Sequence, residues 1–197
     1  MISCVVLSAG LSVRFGSPKA LAKINNEPII ERLQKLLLNT PLYEIIVVLG
    51  HEADKIQPHL LNHKRIQFVH NKDYNLGQTS SVKVGFKAVN PQSEGIMLLP
   101  VDYPLVKKET IDQLIEFFLE KKPTILVPAF EDHKGHPPIF HAKLKSEILS
   151  LPNEIGLNTI GHKHQKDTMV LPLKDPGIVK SFNTPQELEQ LKKESVD

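Results

Sequence analysis

The chain holds a single cysteine, Cys4, among its 197 residues. That excludes an internal disulfide framework and any CxxC zinc or redox motif, and it suits a reducing compartment. No apolar run approaches the ~18 residues that a membrane span requires, so no membrane partner is expected. Neither sign of charge is in clear excess: 24 Lys and Arg stand against 22 Asp and Glu, for a net charge of +2. So small a balance supplies no broad basic field for coating nucleic acid or acidic lipid, and any anion site must be local. Two common nucleotide motifs are missing as well. Gly10 and Gly16 are not followed by the GK[ST] of a Walker loop, and the GxGxxG of a dinucleotide fold is absent. The opening apolar run, residues 2–7, is too short for a signal-peptide core, has no basic segment before it and ends in Ser8 and Gly10 instead of a cleavage site. It reads as a first strand, in a protein expected to be cytoplasmic.

What is present is a supply of core residues and a rhythm. Hydrophobic side chains make up 41% of the sequence, enough for one core, and the length fits one domain spanning 1–197. Short apolar, β-branched runs recur at residues 5–7, 45–49, 66–69, 96–99, 125–127 and 169–171. Continuous runs of this kind suit strands buried on both faces. Between them, Ile29, Ile30, Leu33, Leu36 and Leu37 repeat at helical spacing after Pro28, a good first helical residue, and Ile111, Leu114, Ile115, Phe118 and Leu119 mark a second helix. A third is predicted to begin with Thr184 as cap and Pro185 at its first position. Such alternation predicts a three-layer α/β/α fold with a mostly parallel, Rossmann-like sheet, whose ligands sit beyond the carboxyl ends of the strands. Gly135 followed by Pro137 and Pro138 predicts a bent loop, since two such prolines cannot both occupy a central strand. The polar stretch 152–166 is compatible with either helix or loop.

After the first strand comes SAGLSVRFGSPKA, residues 8–20, placed where ligands bind in sheets of this type. Its glycines let backbone N–H groups approach phosphate oxygens, and Arg14 and Lys19 can neutralise the charge those oxygens carry. Asp102 falls just past the apolar run 96–99, where a carboxylate can leave the sheet edge and reach a ligand; a turn before Tyr103 and Pro104 is the structural alternative.

The segment LSAGLSVRFGSPKAL resembles the LAAGxSxRMGxxKxL signature of the molybdenum cofactor nucleotidyltransferases, within the wider NTP-transferase superfamily of sugar-nucleotide pyrophosphorylases. Four later segments keep the family's order: NKDYNLGQTSSVKVGF (71–86), LLPVDYPLV (98–106), KGHPPIF (134–140) and SFNTPQEL (181–188). The cytidylyltransferases of this family read LAAG where the guanylyltransferases read LAGG, and Ala9 before Gly10 favours CTP. The resemblance implies that Ser8, Ala9 and Gly10 line the nucleotide, that Arg14 and Lys19 hold its triphosphate, and that Ser81 lies against the base. It implies Asp102 as a Mg²⁺ ligand, with Lys19, Arg14 and Asp102 the catalytic set, and Gly135, His136 and Pro137 on the acceptor side. The reaction implied is transfer of a nucleoside monophosphate from an NTP to a phosphorylated small-molecule acceptor, molybdopterin first, with release of pyrophosphate. A molybdoenzyme or its chaperone would be the corresponding protein partner.

The sequence departs from that family at two places. The relatives' DIDTP appears as Ser181, Phe182, Asn183, Thr184 and Pro185, without either carboxylate. The family's GDxGAR corresponds to Gly156, Leu157, Asn158, Thr159, Ile160 and Gly161, without its aspartate and arginine. These changes leave two alternatives open beside molybdopterin: a nucleotide-binding module without turnover, and cytidylyl or uridylyl transfer to a sugar or alcohol phosphate. Other candidates read as structural. His133 with His136, and His162 with His164, lack the further ligands of a zinc set. Cys4 reads as a small buried residue, and Lys192 and Lys193 as favourable charges near a helix C-terminus. His51 follows Gly50 at the end of the second strand, a position close to the expected cleft.

Overall fold

The structure, a computed structural model, describes residues 1–194. Its strands are β1 (Ile2–Ser8), β2 (Lys23–Ile24), β3 (Glu27–Pro28), β4 (Glu44–Leu49), β5 (Ile66–His70), β6 (Gly95–Pro100), β7 (Ile125–Phe130), β8 (His133–Lys134), β9 (Ile139–His141) and β10 (Thr168–Pro172). Its helices are α1 (Ile29–Leu38), α2 (Ala53–Ile56), α3 (Gln78–Ala88), α4 (Lys108–Lys121), α5 (Lys145–Leu149), α6 (Asn158–Lys163) and α7 (Pro185–Glu194). All six apolar runs are strands, and the sheet runs β10-β7-β9-β6-β1-β4-β5, with β8 paired to β7. Every pairing along that path is parallel except those of β9, which lies antiparallel between β6 and β7.

Side-chain alternation along the central strands builds the layers. From β1, Ile2, Cys4 and Val6 enter one cluster, shared with Leu33 and Leu37 of α1, Leu114 and Phe118 of α4, and Leu188 and Leu191 of α7. Val5 and Leu7 enter the other, shared with Val82 and Phe86 of α3, Ile148 of α5 and Ile160 of α6. The continuous run is therefore buried twice over, as a central parallel strand requires. Three layers result, as expected from the alternation.

Several local expectations need correction. The runs at 66–69 and 169–171 form the two edge strands, in which no residue is fully buried and most are exposed, so only the interior strands are covered on both faces. Pro28 does not open α1. It pairs in the β2–β3 hairpin and precedes the helix, because Asn25 and Asn26 take φ of 52° and 63° and turn the chain back on itself. Residues 152–166 contain α6, preceded by irregular chain and followed by a 3-10 turn, Gln165–Asp167. The bend at Gly135 to Pro138 is present, and the His136–Pro137 peptide is cis. Thr184 caps α7 as expected, its hydroxyl accepting the Glu187 N–H at 3.2 Å. Among the described residues, no helix is long and apolar enough to cross a membrane.

Candidate functional site

Parallel register aligns the carboxyl ends of the central strands: Ser8 lies opposite Leu49, and Leu7 opposite Pro100. A cleft of about 410 Å³ opens beyond them, where open α/β sheets bind their ligands. Its near wall is the loop after β1. The Ser12 carbonyl accepts the N–H groups of Phe15 at 2.9 Å and Gly16 at 3.0 Å, and Gly16 takes φ of 80°, which a glycine adopts at no steric cost. Ser12 Oγ then accepts the Lys19 N–H at 3.3 Å, closing the loop on itself. A 3-10 turn, Lys19–Leu21, buries Ala20 and turns the Lys19 side chain inward.

Lys19 is the hub. Its Nζ donates to Asp102 Oδ2 at 2.9 Å and to Asn183 Oδ1 at 3.0 Å, and it stands 5.4 Å from the centre of the Phe182 ring. Arg14 Nη2 donates to the same Asn183 oxygen at 3.0 Å. Three distant stretches thus meet: the loop after β1, the turn after β6 and the segment before α7. A backbone hydrogen bond and a ring contact fix their meeting: Phe182 N–H reaches the Asp102 carbonyl at 3.3 Å, and Phe15 packs edge-on against Phe182 at 5.4 Å. Glu187 takes the Asn183 backbone N–H at 2.5 Å from the α7 side. The Lys19–Asp102 pair is mostly buried, with 13% and 24% of the two side chains exposed, so it is screened less than a surface pair.

The far wall comes from α3 and the turn before it. Asn71 Nδ2 donates to Ser80 Oγ at 2.8 Å and Ser81 Oγ at 2.9 Å, and Ser80 Oγ bonds the carbonyls of Asp73 and Gly77. Gly77, at φ of 98°, supplies the left-handed turn into α3 that other side chains rarely adopt. Ser8, Ala9, Gly10, Arg14, Lys19, Ser81 and Asp102 all line the one cleft. Ser8 Oγ is buried there without a partner.

Gly135, His136 and Pro137 do not line that cleft. Gly135 is pressed to the backbone of Ile178, where an added Cβ would lie 2.4 Å from the carbonyl oxygen. His136 packs tilted against Tyr103, ring centres 4.5 Å apart and ring planes at 41°, so the three residues sit on the Tyr103 side of Asp102. Burial holds the His136 imidazole below its ordinary range, against the opposing pull of the Asp102 carboxylate, and Nδ1 is buried without a partner.

Sequence reasoning did not foresee Tyr74, Asn75 and Gln78 in the cleft wall, nor Asn183 as the shared acceptor of both cations. Position was the available signal for Asn183, which occupies the slot of an aspartate in SFNTP. His51 lies beside the cleft and not in it, its ring 5.7 Å from that of Tyr74. Among the described residues no group of three or more His, Cys, Asp or Glu side chains is placed to hold a metal ion, and His164 is bound instead to Glu147 at 2.9 Å. Cys4 is fully buried, which pushes its thiol far above the usual range and leaves it no nucleophile.

A mostly parallel α/β sheet whose first loop delivers a lysine and an arginine, opposite an aspartate at the end of a neighbouring strand, defines a nucleotide-handling enzyme of the nucleotidyltransferase class. The chain belongs to the MobA-like NTP transferase domain family, which matches residues 4–168. It is 28% identical over 152 residues to the molybdenum cofactor cytidylyltransferase of Escherichia coli strain K12, covering 77% of this chain and 76% of the relative. It is 26% identical over 159 residues to the bifunctional protein GlmU of Clostridioides difficile strain 630, covering 79% of this chain and 34% of that relative. The chain spans about a third of the GlmU relatives it matches. Among solved structures, the Rv0371c homolog from Mycobacterium sp. strain JC1 superposes with a TM-score of 0.86 at 25% identity, covering 99% of this chain and 96% of the other. The manganese complex of Rv0371c from Mycobacterium tuberculosis H37Rv shares the fold with a TM-score of 0.80 at 22% identity, covering 98% of each chain.

Proposed function

We propose that this chain transfers a cytidylyl group from CTP to the terminal phosphate of molybdopterin, in the cytoplasm, releasing pyrophosphate. The observation that carries this reading is the convergence of Lys19 and Arg14 on the Asp102–Asn183 edge of the cleft. Ala9 before Gly10, and a cytidylyltransferase relative matched over similar shares of both chains, support the choice of CTP and acceptor.

In the reaction an acceptor phosphate oxygen attacks the α-phosphorus, the bond from that phosphorus to the bridging oxygen breaks, and its electron pair leaves with pyrophosphate. No protein nucleophile is needed, so the residues act by positioning and by neutralising charge. Lys19 and Arg14 clamp the triphosphate, exchanging their present oxygen partners for phosphate oxygens. Ser8, Ala9 and Gly10 let the nucleotide approach the backbone, and Ser81, held in place by Asn71, lies against the base. Gly135, His136 and Pro137 face the acceptor from beyond Tyr103. The Asp102 carboxylate and the Asn183 amide carbonyl, both directed at one ammonium group, are oxygen donors of the kind that suits Mg²⁺ shared with substrate phosphates. The chemistry a divalent cation supplies there is neutralisation of phosphate charge.

The missing carboxylate at Ser181 and the uncharged stretch 156–161 favour a second reading, in which the acceptor is a sugar or alcohol phosphate. A pyrophosphate-release screen crossing four NTPs with molybdopterin and several sugar and alcohol phosphates, in Mg²⁺, tests both. CTP with molybdopterin is expected to react fastest. Release from none of the pairs by folded protein would leave only a nucleotide-binding module.

A further inference from the structure

We infer that the open edge of β5 pairs with the β5 edge of a second copy of this chain, antiparallel and two-fold about Val69, so that one sheet runs through a dimer. The inference stands apart from the nucleotide reading. Both ends of the sheet are edges, and they are finished differently. On β10, the Leu173 N–H bonds the Ala129 carbonyl, which turns the odd-numbered residues toward β7 and the even-numbered ones outward. Of those outward residues, Thr168 gives its N–H to the Gln165 carbonyl and Pro172 has none, so Val170 alone keeps an open donor. Such an edge is blunted.

On β5, the Arg65 carbonyl accepts the Ile45 N–H and the Asn71 N–H reaches the Leu49 carbonyl, so residues 65, 67, 69 and 71 bond β4 while Ile66, Phe68 and His70 face out. The Ile66 N–H is taken by the His63 carbonyl. The backbone N–H and C=O groups of Phe68 and His70 have no partner among the described residues. Phe68 is 40% exposed, with the His70 ring edge-on to it at 5.5 Å. An edge without proline or a formal charge, and with an aromatic side chain in the open, is a template for another strand.

A second copy is the occupant that the strand itself specifies. About a two-fold axis at Val69, Phe68 of one copy lies opposite His70 of the other, and the two exchange both backbone hydrogen bonds. The symmetry repeats the exchange, so every open donor of β5 is used. Phe68 and His70 share one face of the strand, and the pairing joins their rings across the axis. Lys64, Arg65, Lys72 and Asp73 all lie outside the paired stretch, so no like charges face each other along it. Antiparallel pairing points the carboxyl ends of the two sheets in opposite directions, which leaves both clefts open. One strand pair is a smaller contact than the ~800 Å² per partner of a standard interface, so a dissociation constant of ~10–100 µM is expected.

Sedimentation velocity of the wild-type chain from ~1 to ~500 µM reads the association, since a dimer of this strength forms across that range by mass action. A Val69→Cys variant reads the register. Val69 and its copy form a non-hydrogen-bonded pair, with Cα atoms ~4.5 Å apart, inside the span of a disulfide. Cys4 is fully buried and does not compete. Oxidised glutathione is expected to link Val69→Cys to itself on non-reducing electrophoresis, and to leave Gln67→Cys, which falls opposite Asn71 of the other copy, unlinked. Phe68→Lys, a charge of the kind that blunts natural edges, is expected to weaken association ~10-fold or more, while Met169→Glu on β10 leaves it unchanged. If Phe68→Lys folds poorly, Val69→Cys carries the test. A monomer across the whole range would overturn the inference, as would a dimer indifferent to Phe68→Lys or one in which Val69→Cys stays unlinked. Loss of the dimer on Met169→Glu would place the interface on β10 instead.

Discussion

Lys19 is held by two oxygens and an aromatic face, yet nothing in the fold needs an ammonium there for packing, and both of its oxygen partners lie at the cleft. On the proposed reading its charge is spent on the triphosphate. Lys19→Ala is therefore expected to lower kcat/KM by ~10²-fold or more, the usual cost of deleting one preorganised charge, while the thermal midpoint moves little. Pyrophosphate release and a melting curve on the same sample check both halves, and unchanged turnover would end the assignment. His136 makes a different claim, on stability. Burial depresses its pKa below the ordinary value of 6.5, so the native state binds fewer protons than the unfolded chain as pH falls past that value. The stability contribution of the neutral ring is present above ~6.5 and is lost as pH falls toward the native pKa. His141 is shifted in the same direction, also chiefly by burial. Wild-type protein should lose urea resistance between about pH 7.5 and pH 5.5, and His136→Gln should lose less across that interval, with a residual slope from His141. Parallel slopes for the two proteins would show that His136 is solvated when charged.

At the scale of elements, the helices differ in how they announce themselves. α1 and α4 bury leucine, isoleucine and phenylalanine at every third or fourth position, and that rhythm is plain in the sequence. α3 buries Thr79, Ser80, Ser81, Val82, Gly85 and Phe86, a face too polar and too small to show periodicity. Its small residues have a physical reason. An added Cβ at Gly85 would lie 2.4 Å from Val5 Cγ1 and 2.9 Å from Val48 Cγ2, so the helix rests directly on β1 and β4. That closeness brings Ser81, one turn earlier, to the cleft. Gly85→Ala is expected to destabilise the protein by ~1–2 kcal/mol, overpacking of ~1–3 kcal/mol being offset in part by helix propensity. A scanning calorimetry shift of a few degrees downward would bear this out, and a stabilised variant would show that α3 can lift away from the sheet without cost. The edge strands were hidden for a related reason: residues 66–69, apolar but for Gln67, and 169–171 resemble the interior runs, and sequence alone does not say which strand lacks a neighbour. The loop after β1 and Asp102 were legible because glycines, cations and a carboxylate fall at strand ends. Asn183 was legible as a missing aspartate, but its hold on both cations depends on contacts across more than 160 residues of sequence separation.

Over the whole molecule, the position of Asp102 depends on chain that comes much later. The turn after β6 leads through Tyr103 and Leu105 into α4, and a 3-10 turn, Pro176–Val179, is pressed against it: a Cβ at Gly177 would lie 2.2 Å from the Leu105 carbonyl oxygen. Asp175, 3% exposed, joins the two. Its Oδ2 accepts the Lys107 N–H at 2.9 Å and the Thr110 hydroxyl at 2.6 Å, and its Oδ1 accepts the Gly177 N–H at 2.9 Å. A carboxylate at the start of α4 also complements the helix dipole, a service no side chain of the helix's own N-terminal residue performs. Asp175→Ala leaves two buried donors, the Thr110 hydroxyl and the Gly177 N–H, and the partly buried Lys107 N–H unpaired, each formerly bonded to a charged group, and is expected to cost about 3 kcal/mol. Asp175→Asn keeps one acceptor oxygen and should recover part of that loss. Because the pinned segment carries Asp102, both variants should also lower kcat/KM in the order of their instability, measured well below their melting temperatures. Guanidinium denaturation supplies the stability difference and pyrophosphate release the kinetic one. An alanine variant within about 0.5 kcal/mol of wild type would mean that the late turn merely lies against the site. Full stability loss with unchanged turnover would mean that Lys19 and Asn183 position Asp102 without help from the pin.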